Sequence, residues 1–298
     1  MKRAAVILGI LSLVVLSFAV WAEAQNSGQP AQQKTPAAGQ AAAPAGKRLP
    51  QAKTQPEFDA YKVAVANTDP AVMEKAADDF AAKYPDSEVR ILLYENAMRL
   101  YQNANNAEKT EAMGRKVLSL DGDNPEALIT VAEVIAERTR DADIDKDQRL
   151  GEATSMAQKA TQTVDTDLAI QAPQDKIDAA KAFLRSSAYS VIGTIEFKKE
   201  NYAGAQENLQ KSIDAFPSQP DSVVVLRLAL AIDKQATAAV DRDKQEKLYA
   251  EALKVANRAV ELTQDNTPVG IPARRERDRL QKLTAGAAPA QPQTPPKN

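Results

Sequence analysis

The sequence predicts an all-α protein, an α-solenoid of about five helical hairpins followed by a C-terminal capping helix. Long stretches rich in Ala, Leu, Glu and Lys run between prolines, and none alternates apolar and polar residues as a half-buried strand would. The prolines fall where helices would start or stop. One segment, residues 186–219, has the spacing of two short amphipathic helices joined by a tight turn.

Counting from Ser186 as position 1, large side chains alternate with small ones at fixed places. Small residues at positions 8, 20 and 27 let the two helices approach closely, and a proline at position 32 ends the second helix. The residues that carry the pattern are Tyr189, Ile192, Gly193, Phe197, Tyr202, Ala205, Leu209, Ser212 and Pro217. This spacing resembles the tetratricopeptide repeat (TPR). A single hairpin cannot bury its own apolar face, so we expect neighbouring hairpins to stack on it.

The remaining hairpins are more divergent, and we take them in chain order. Residues 58–67 and 71–84 form the first, and its ending AAKYPDS resembles the closing of repeats in bacterial envelope assembly proteins. Residues 91–124 fit the second without gaps. They carry the pattern through Tyr94, Ala97, Met98, Tyr101, Thr110, Gly114, Val117 and Gly122.

The third and fifth hairpins each have an insertion in the loop between their helices. The third begins at Pro125 and the fifth near Ser222, while residues 274–283 form the cap. Their register residues are Leu128, Val131, Ala132, Ile135, Ala153, Ala157 and Ala160 in the third, and Val225, Leu228, Ala229, Ile232, Ala252, Ala256 and Ala259 in the fifth.

The N-terminus has the three parts of a secretory signal peptide. Lys2 and Arg3 precede an apolar stretch at 4–20, and small residues follow at Ala22 and Ala24. We therefore predict cleavage after Ala24 and a periplasmic or secreted protein. The alternative is an uncleaved membrane anchor, for which the 17-residue stretch at 4–20 is short, because a span needs about 20 residues.

The predicted organisation has four parts. Residues 1–24 are the signal peptide, 25–55 a disordered linker rich in Ala, Gln and Pro, 56–284 the solenoid, and 285–298 a disordered tail. The exported N-terminus, the linker and the irregular repeats together resemble secreted bacterial TPR proteins. That resemblance implies a compartment and an architecture but no activity.

The composition excludes several chemistries. The 298 residues contain no cysteine and no histidine, which excludes a Ser-His-Asp triad, a thiol nucleophile and the common zinc sites. A net charge of −2 argues against a nucleic-acid partner. A catalytic pair of carboxylates, as in glycoside hydrolases, remains an open alternative. The favoured interpretation of each acidic residue is a solvated helix face. We expect no enzymatic activity, no catalytic residues and no cofactor.

Two local charge patterns have competing interpretations. Asp141, Asp143, Asp145, Asp147 and Glu152 have the spacing of an EF-hand calcium loop, but Lys146 stands where that loop needs glycine. We favour a polar insertion without metal and keep a calcium-responsive module as the weaker alternative. The stretch 274–279 alternates Arg with acidic residues, which favours the polar face of a capping helix over a site for an acidic partner or a membrane.

The remaining candidate site is the concave groove that TPR proteins form from their first helices. The resemblance places positions 2, 5, 9, 12 and 13 of each first helix in the groove, where they face a peptide or partner protein. Carried onto this chain, these positions give Glu95, Arg99, Gln102, Asn103, Glu133, Glu137, Ser190, Thr194, Phe197, Lys198, Leu226, Leu230, Asp233 and Lys234. The leading hypothesis is a non-enzymatic interaction scaffold of the bacterial cell envelope. The alternative is a membrane-anchored structural tether, and self-association stays open.

Overall fold

The structure is a computed structural model that describes residues 47–264 and 266–286. Within these ranges all regular structure is helical, and the helices are α1 Gln55–Val65, α2 Pro70–Lys83, α3 Arg90–Asn103, α4 Ala107–Leu120, α5 Pro125–Arg138, α6 Lys146–Thr163, α7 Gln174–Lys198, α8 Tyr202–Ala215, α9 Ser222–Ala238, α10 Arg242–Glu261 and α11 Gly270–Gly286. The predicted signal peptide, linker residues 25–46 and tail residues 287–298 lie outside the described residues. No helix in these ranges is both long and apolar enough to cross a membrane.

The helices pack in chain order as antiparallel pairs. α1 with α2, α3 with α4, α5 with α6, α7 with α8 and α9 with α10 form the hairpins, and α11 packs on α10. Each hairpin also packs on the next, through α2 and α3, α4 and α5, α6 and α7, and α8 and α9. The predicted fold class, five stacked hairpins with a final capping helix, is therefore confirmed.

Local sequence starts the helices where the prolines and polar residues predict. The Asp69 side chain accepts backbone N–H groups of Ala71 and Val72, and Pro70 follows it in the first turn. Side chains cap other helices in the same way at Thr54, Asn106, Asn124, Asn201, Asp221 and Asp241. These side chains satisfy N–H groups that have no partner inside the helix, so each cap fixes where its helix begins.

The turns of two hairpins are equivalent. Asn105 follows α3 and Glu200 follows α7, and both have left-handed backbone with φ of 55° and 60°. Both residues stand at position 15 of their repeats, and an asparagine cap, Asn106 or Asn201, comes next. Two segments of different sequence therefore make the same tight turn, as repeated units of one architecture should.

The core consists of the positions that the repeat spacing marks as small or apolar. The side chains of Ala205 and Leu209 in α8 are fully buried. A Cβ on Gly193 would lie 2.7 Å from Leu209 Cγ. The backbone of α7 at Gly193 therefore packs directly against the Leu209 side chain of α8. The alanines predicted to line the second helices are also fully buried, namely Ala153, Ala157, Ala160, Ala252, Ala256 and Ala259.

Two details differ from the predicted elements. The first helix of the fourth hairpin begins at Gln174, well before Ser186, because Ala180 and Leu184 extend its apolar face into the core beside α6. The insertions in the third and fifth hairpins do not lie only in loops. They also lengthen the second helices, so that α6 begins at Lys146 and α10 at Arg242, well ahead of the first buried alanine of each predicted register.

Candidate functional site

The residues predicted for the groove lie on α3, α5, α7 and α9, and we call the faces of these four helices that carry them the first-helix surface. Its members differ in exposure, because contacts between successive helices cover some of them. Ser190, Thr194, Leu226 and Asp233 are buried; Glu95, Arg99, Gln102, Glu133, Phe197, Lys198 and Leu230 are half-buried; Asn103, Glu137 and Lys234 are exposed. A ligand can reach the half-buried and exposed members, whereas the buried ones fix the shape beneath them.

The start of this surface holds a group of charged residues that we call the buried charge cluster. Arg99 on α3 donates from Nε to Glu126 Oε1 of α5 at 2.7 Å, and a second guanidinium nitrogen donates to Glu126 Oε2. Asn124 Nδ2 donates to Glu95 Oε1 at 2.7 Å, and Arg99 lies 3.5 Å from the other oxygen of Glu95. One guanidinium therefore faces two carboxylates, and it joins the second hairpin to the third.

Burial decides the protonation of Glu95. Desolvation raises the pKa of its carboxyl from 4.5 to about 7, Arg99 opposes this rise, and the neighbouring Glu126 charge adds to it. The Glu95 side chain is 14% exposed. Near neutral pH the Glu95 carboxyl therefore exchanges a proton.

We expect Glu95→Gln to stabilise the protein at pH 8 by about 2–3 kcal/mol, since one pKa unit is worth about 1.4 kcal/mol and the amide avoids a buried charge. The sign follows from the raised pKa. Between 4.5 and about 7 the folded protein holds a proton that the unfolded chain has released, so wild-type stability falls as pH rises through this window. Urea unfolding at pH 4.5, 6 and 8 measures the free energy of unfolding of both proteins. The difference between wild type and variant should grow as pH increases.

Glu207→Gln is the matched control for this experiment. Its carboxylate is exposed on α8 and accepts a hydrogen bond from Lys211 at 2.6 Å, which lowers its pKa. Neutralising it removes a favourable contact and should give no stabilisation at pH 8. A gain of equal size in both variants would mean that net charge, and not burial of Glu95, sets the pH dependence.

A short segment of the chain itself lies over the buried charge cluster. Residues 47–50, which we call the N-terminal strap, belong to the stretch assigned to the linker from sequence, yet they contact three hairpins. The Lys47 N–H donates to the carbonyl of Thr166 at 3.1 Å, and its ammonium lies 2.6 Å from Asp121. Together with Leu92, Glu95 and Arg99, the strap lines a cavity of about 50 Å³.

The middle of the first-helix surface is connected by Arg227. From α9 its guanidinium donates to Thr194 of α7 and lies 3.6 Å from Glu137 of α5. Lys198 of α7 donates to the carbonyl of Thr139 at 2.8 Å, beyond the end of α5. Three successive first helices are thus joined through polar side chains. Beside Glu137 lies an open cleft of about 340 Å³, which is also lined by Arg138, Arg140, Asp143 and Arg149.

The far end of the surface meets the capping helix. Arg279 of α11 lies 2.5 Å from Asp233 of α9 and also pairs with Glu276 in its own helix. Hydrogen bonds to Glu276 and Asp233 raise the pKa of Arg279. Ala273 and Leu280 of α11 are fully buried against the last hairpin. The arginine-rich stretch therefore belongs to a packed capping helix, in which Arg279 fastens α11 to α9.

The acidic residues of the EF-hand-like pattern do not converge. Asp141 pairs with Lys146 at 2.9 Å, the Asp143 side chain accepts the N–H of Arg140, and Glu152 pairs with Arg115 at 2.8 Å. Because α6 already begins at Lys146, Asp147 and Glu152 stand on a helix and not in a loop. In the part of the chain that the structure describes, no three acidic side chains gather to hold a metal ion. The geometry thus gives no support to the calcium-responsive alternative.

Several residues of the site were missing from the sequence-based prediction. Arg227 stands at position 6 of its repeat, outside the positions assigned to the groove. Its signal was available in the sequence, because it is the one charged residue in the apolar run 223–232. Glu126 and Asn124 gave no such signal, since an acidic residue and an asparagine at a helix start are ordinary capping residues.

The chain was compared with known families, curated proteins and solved structures. No protein-family profile matches it, and no curated protein matches it. Among solved structures, a chain of the human IFIT1 dimer with m7Gppp-AAAA is similar, with 13% sequence identity and a TM-score of 0.37. The similarity covers 77% of this chain and 58% of that chain. At this level the likeness adds nothing about function.

Proposed function

We propose that this protein is a non-enzymatic binding scaffold whose first-helix surface takes an extended segment of a partner protein. The observation that carries the proposal is the connection made by Arg227, which holds α5, α7 and α9 in register. A surface fixed in this way before binding loses little conformational freedom when a ligand arrives.

The accessible side chains indicate what the segment contains. Phe197 and Leu230 are half-buried apolar groups, and Lys198 and Lys234 stand beside them in their helices, with Glu137 exposed across from α7. Such a mixture suits a peptide with apolar anchors and charges of both signs, which is the usual chemistry of an extended or helical ligand in a groove.

We further propose that the protein acts in the cell envelope, because the sequence of residues 1–24 has the parts of an export signal. Two versions of this proposal differ in one observable. A scaffold that is released after cleavage begins at Gln25, whereas a membrane-anchored tether retains Met1. Intact-mass measurement of the protein from soluble and membrane fractions distinguishes the two directly.

Site-specific photo-crosslinking tests the binding proposal. A crosslinking residue is placed at Lys234 on the first-helix surface or, as the matched control, at Lys254, which is exposed on the second helix α10. We expect one partner to be captured from position 234 and not from 254, and to be lost when Lys198 is changed to Glu in a variant of unchanged melting temperature. Equal capture from both positions, or capture from 254 alone, would contradict a role for this surface.

A further inference from the structure

The N-terminal strap occupies the beginning of the first-helix surface as a bound peptide would. It is non-helical, and its polar contacts lie in the loops that join successive hairpins. Glu88 precedes α3, Asp121 precedes α5, and Thr166 and Asp167 precede α7. The strap and the adjoining Gln51 contact all three places. These inter-hairpin loops therefore hold an extended segment of the molecule itself.

Two acidic sites hold the two basic residues of the strap. The Lys47 ammonium lies 2.6 Å from Asp121 and 3.5 Å from Asp167. The Arg48 guanidinium donates to both oxygens of Glu88, at 2.9 and 2.8 Å. Glu88 also accepts the N–H of Gln51 at 3.1 Å. Bidentate pairing of guanidinium with carboxylate fixes geometry as well as charge, so this end of the surface selects adjacent basic residues in an extended chain.

The Arg48 end of the strap is exposed to solvent. The Arg48 side chain is 63% exposed and Glu88 is 40% exposed, and exposed ion pairs of this kind contribute little to stability. Pro50 reaches apolar surface at Ile91 and Leu92, but the cavity of about 50 Å³ remains between the strap and α3. A longer ligand that makes the same contacts and additional ones can replace a segment held in this way.

We propose that the sites formed by Glu88, Asp121 and Asp167 bind an extended partner segment with two adjacent basic residues followed by an apolar residue and proline. The strap occupies these sites when the partner is absent. This proposal rests on the proposed function, because the partner gains its advantage by continuing along α5, α7 and α9. A second copy of this chain has no such advantage. Its strap would make only the contacts that the intramolecular strap already makes. The intramolecular strap also acts at an effective concentration on the order of millimolar.

The test uses the full chain and a fluorescent peptide with the sequence of residues 45–52, AGKRLPQA. Changing Lys47 and Arg48 to Ser in the protein releases the strap and leaves its acidic partners intact. We expect this double variant to bind the peptide at least about tenfold tighter than the wild-type chain, because the internal competitor is gone. A peptide with Ser at both basic positions should not bind either protein.

Changes in the acidic sites locate the binding. In the double variant, Asp121→Asn or Asp167→Asn should weaken the binding of the peptide several-fold. Asp165→Asn is the matched control, since Asp165 lies in the same loop but pairs with Arg185 at 2.7 Å. Equal affinity of wild type and double variant, or equal loss with Asp165→Asn, overturns the proposal.

Two further outcomes separate this proposal from the proposed function. No peptide binding to either protein, with crosslinking at position 234 preserved, overturns the basic-segment site and leaves the scaffold function standing. A dimer of the wild-type chain in light scattering that dissociates in the double variant would assign the site to a second copy, which also overturns the proposal as stated.

Discussion

Gly193→Val is expected to destabilise the protein by about 3 kcal/mol, because α7 and α8 touch at this position. A Cβ would stand 2.7 Å from Leu209 Cγ and 3.0 Å from the Leu209 backbone nitrogen. A rotamer change relieves the side-chain contact but not the approach to the backbone nitrogen, which lies in the helix α8 at the fully buried Leu209. Extra atoms in a packed core usually cost 1–3 kcal/mol, and valine adds two methyl groups beyond the Cβ. Urea unfolding followed by circular dichroism measures the change.

Gly151→Ala provides the opposite expectation within the same fold. Gly151 lies inside α6, and a Cβ there would meet no atom within 4 Å. Alanine has a higher helix propensity than glycine, so this variant should gain about 0.5–1 kcal/mol. If both substitutions stabilised the protein, the conclusion that α7 and α8 pack closely at Gly193 would be contradicted. If both destabilised it, helix propensity at Gly151 would not be the deciding effect.

Gly193 also shows why so much of the fold could be predicted. The constraint is local and periodic, since two helices of one hairpin must touch at fixed positions, and each position admits only a small residue. Gly193, Ala205 and Ser212 are therefore the small residues that identify the register; Gly193 and Ser212 lie at the contact between α7 and α8, and Ala205 is fully buried. The turn at Glu200 follows from the same spacing, although its left-handed backbone is not evident from a glutamate.

The candidate site depends on contacts between hairpins, and such contacts leave a weaker pattern in the sequence than contacts within one hairpin do. Glu95 and Arg99 were assigned to the groove from their positions, but their partners Asn124 and Glu126 come from the next hairpin. The strap is less predictable still, because its sequence is polar and proline-containing, and only the stacking of three hairpins brings Glu88, Asp121 and Asp167 beneath it. Periodicity identifies which face a residue occupies but not which residue of another hairpin covers it.

Arg99→Met is expected to have the largest effect of any substitution on the first-helix surface, a loss of about 3–5 kcal/mol at pH 8. Methionine keeps much of the aliphatic volume but removes the cation that faces both Glu95 and Glu126 in the buried charge cluster. Glu126 is 6% exposed, so its carboxylate would remain buried without a counter-charge. Removing one partner of a buried ion pair leaves the full desolvation cost of the other.

Arg115→Met is the matched control, because Arg115 also faces two glutamates, Glu111 and Glu152, but at the surface. Its loss should cost less than about 1 kcal/mol. The free energy of unfolding of the Arg99→Met variant should rise as pH falls from 8 to 5, because protonation removes the buried negative charge that has lost its counter-charge. Adding Glu126→Gln should restore much of the loss at pH 8. If Arg99→Met cost no more than Arg115→Met, the cluster would be hydrated, and it would not be the connection that fixes the second hairpin to the third.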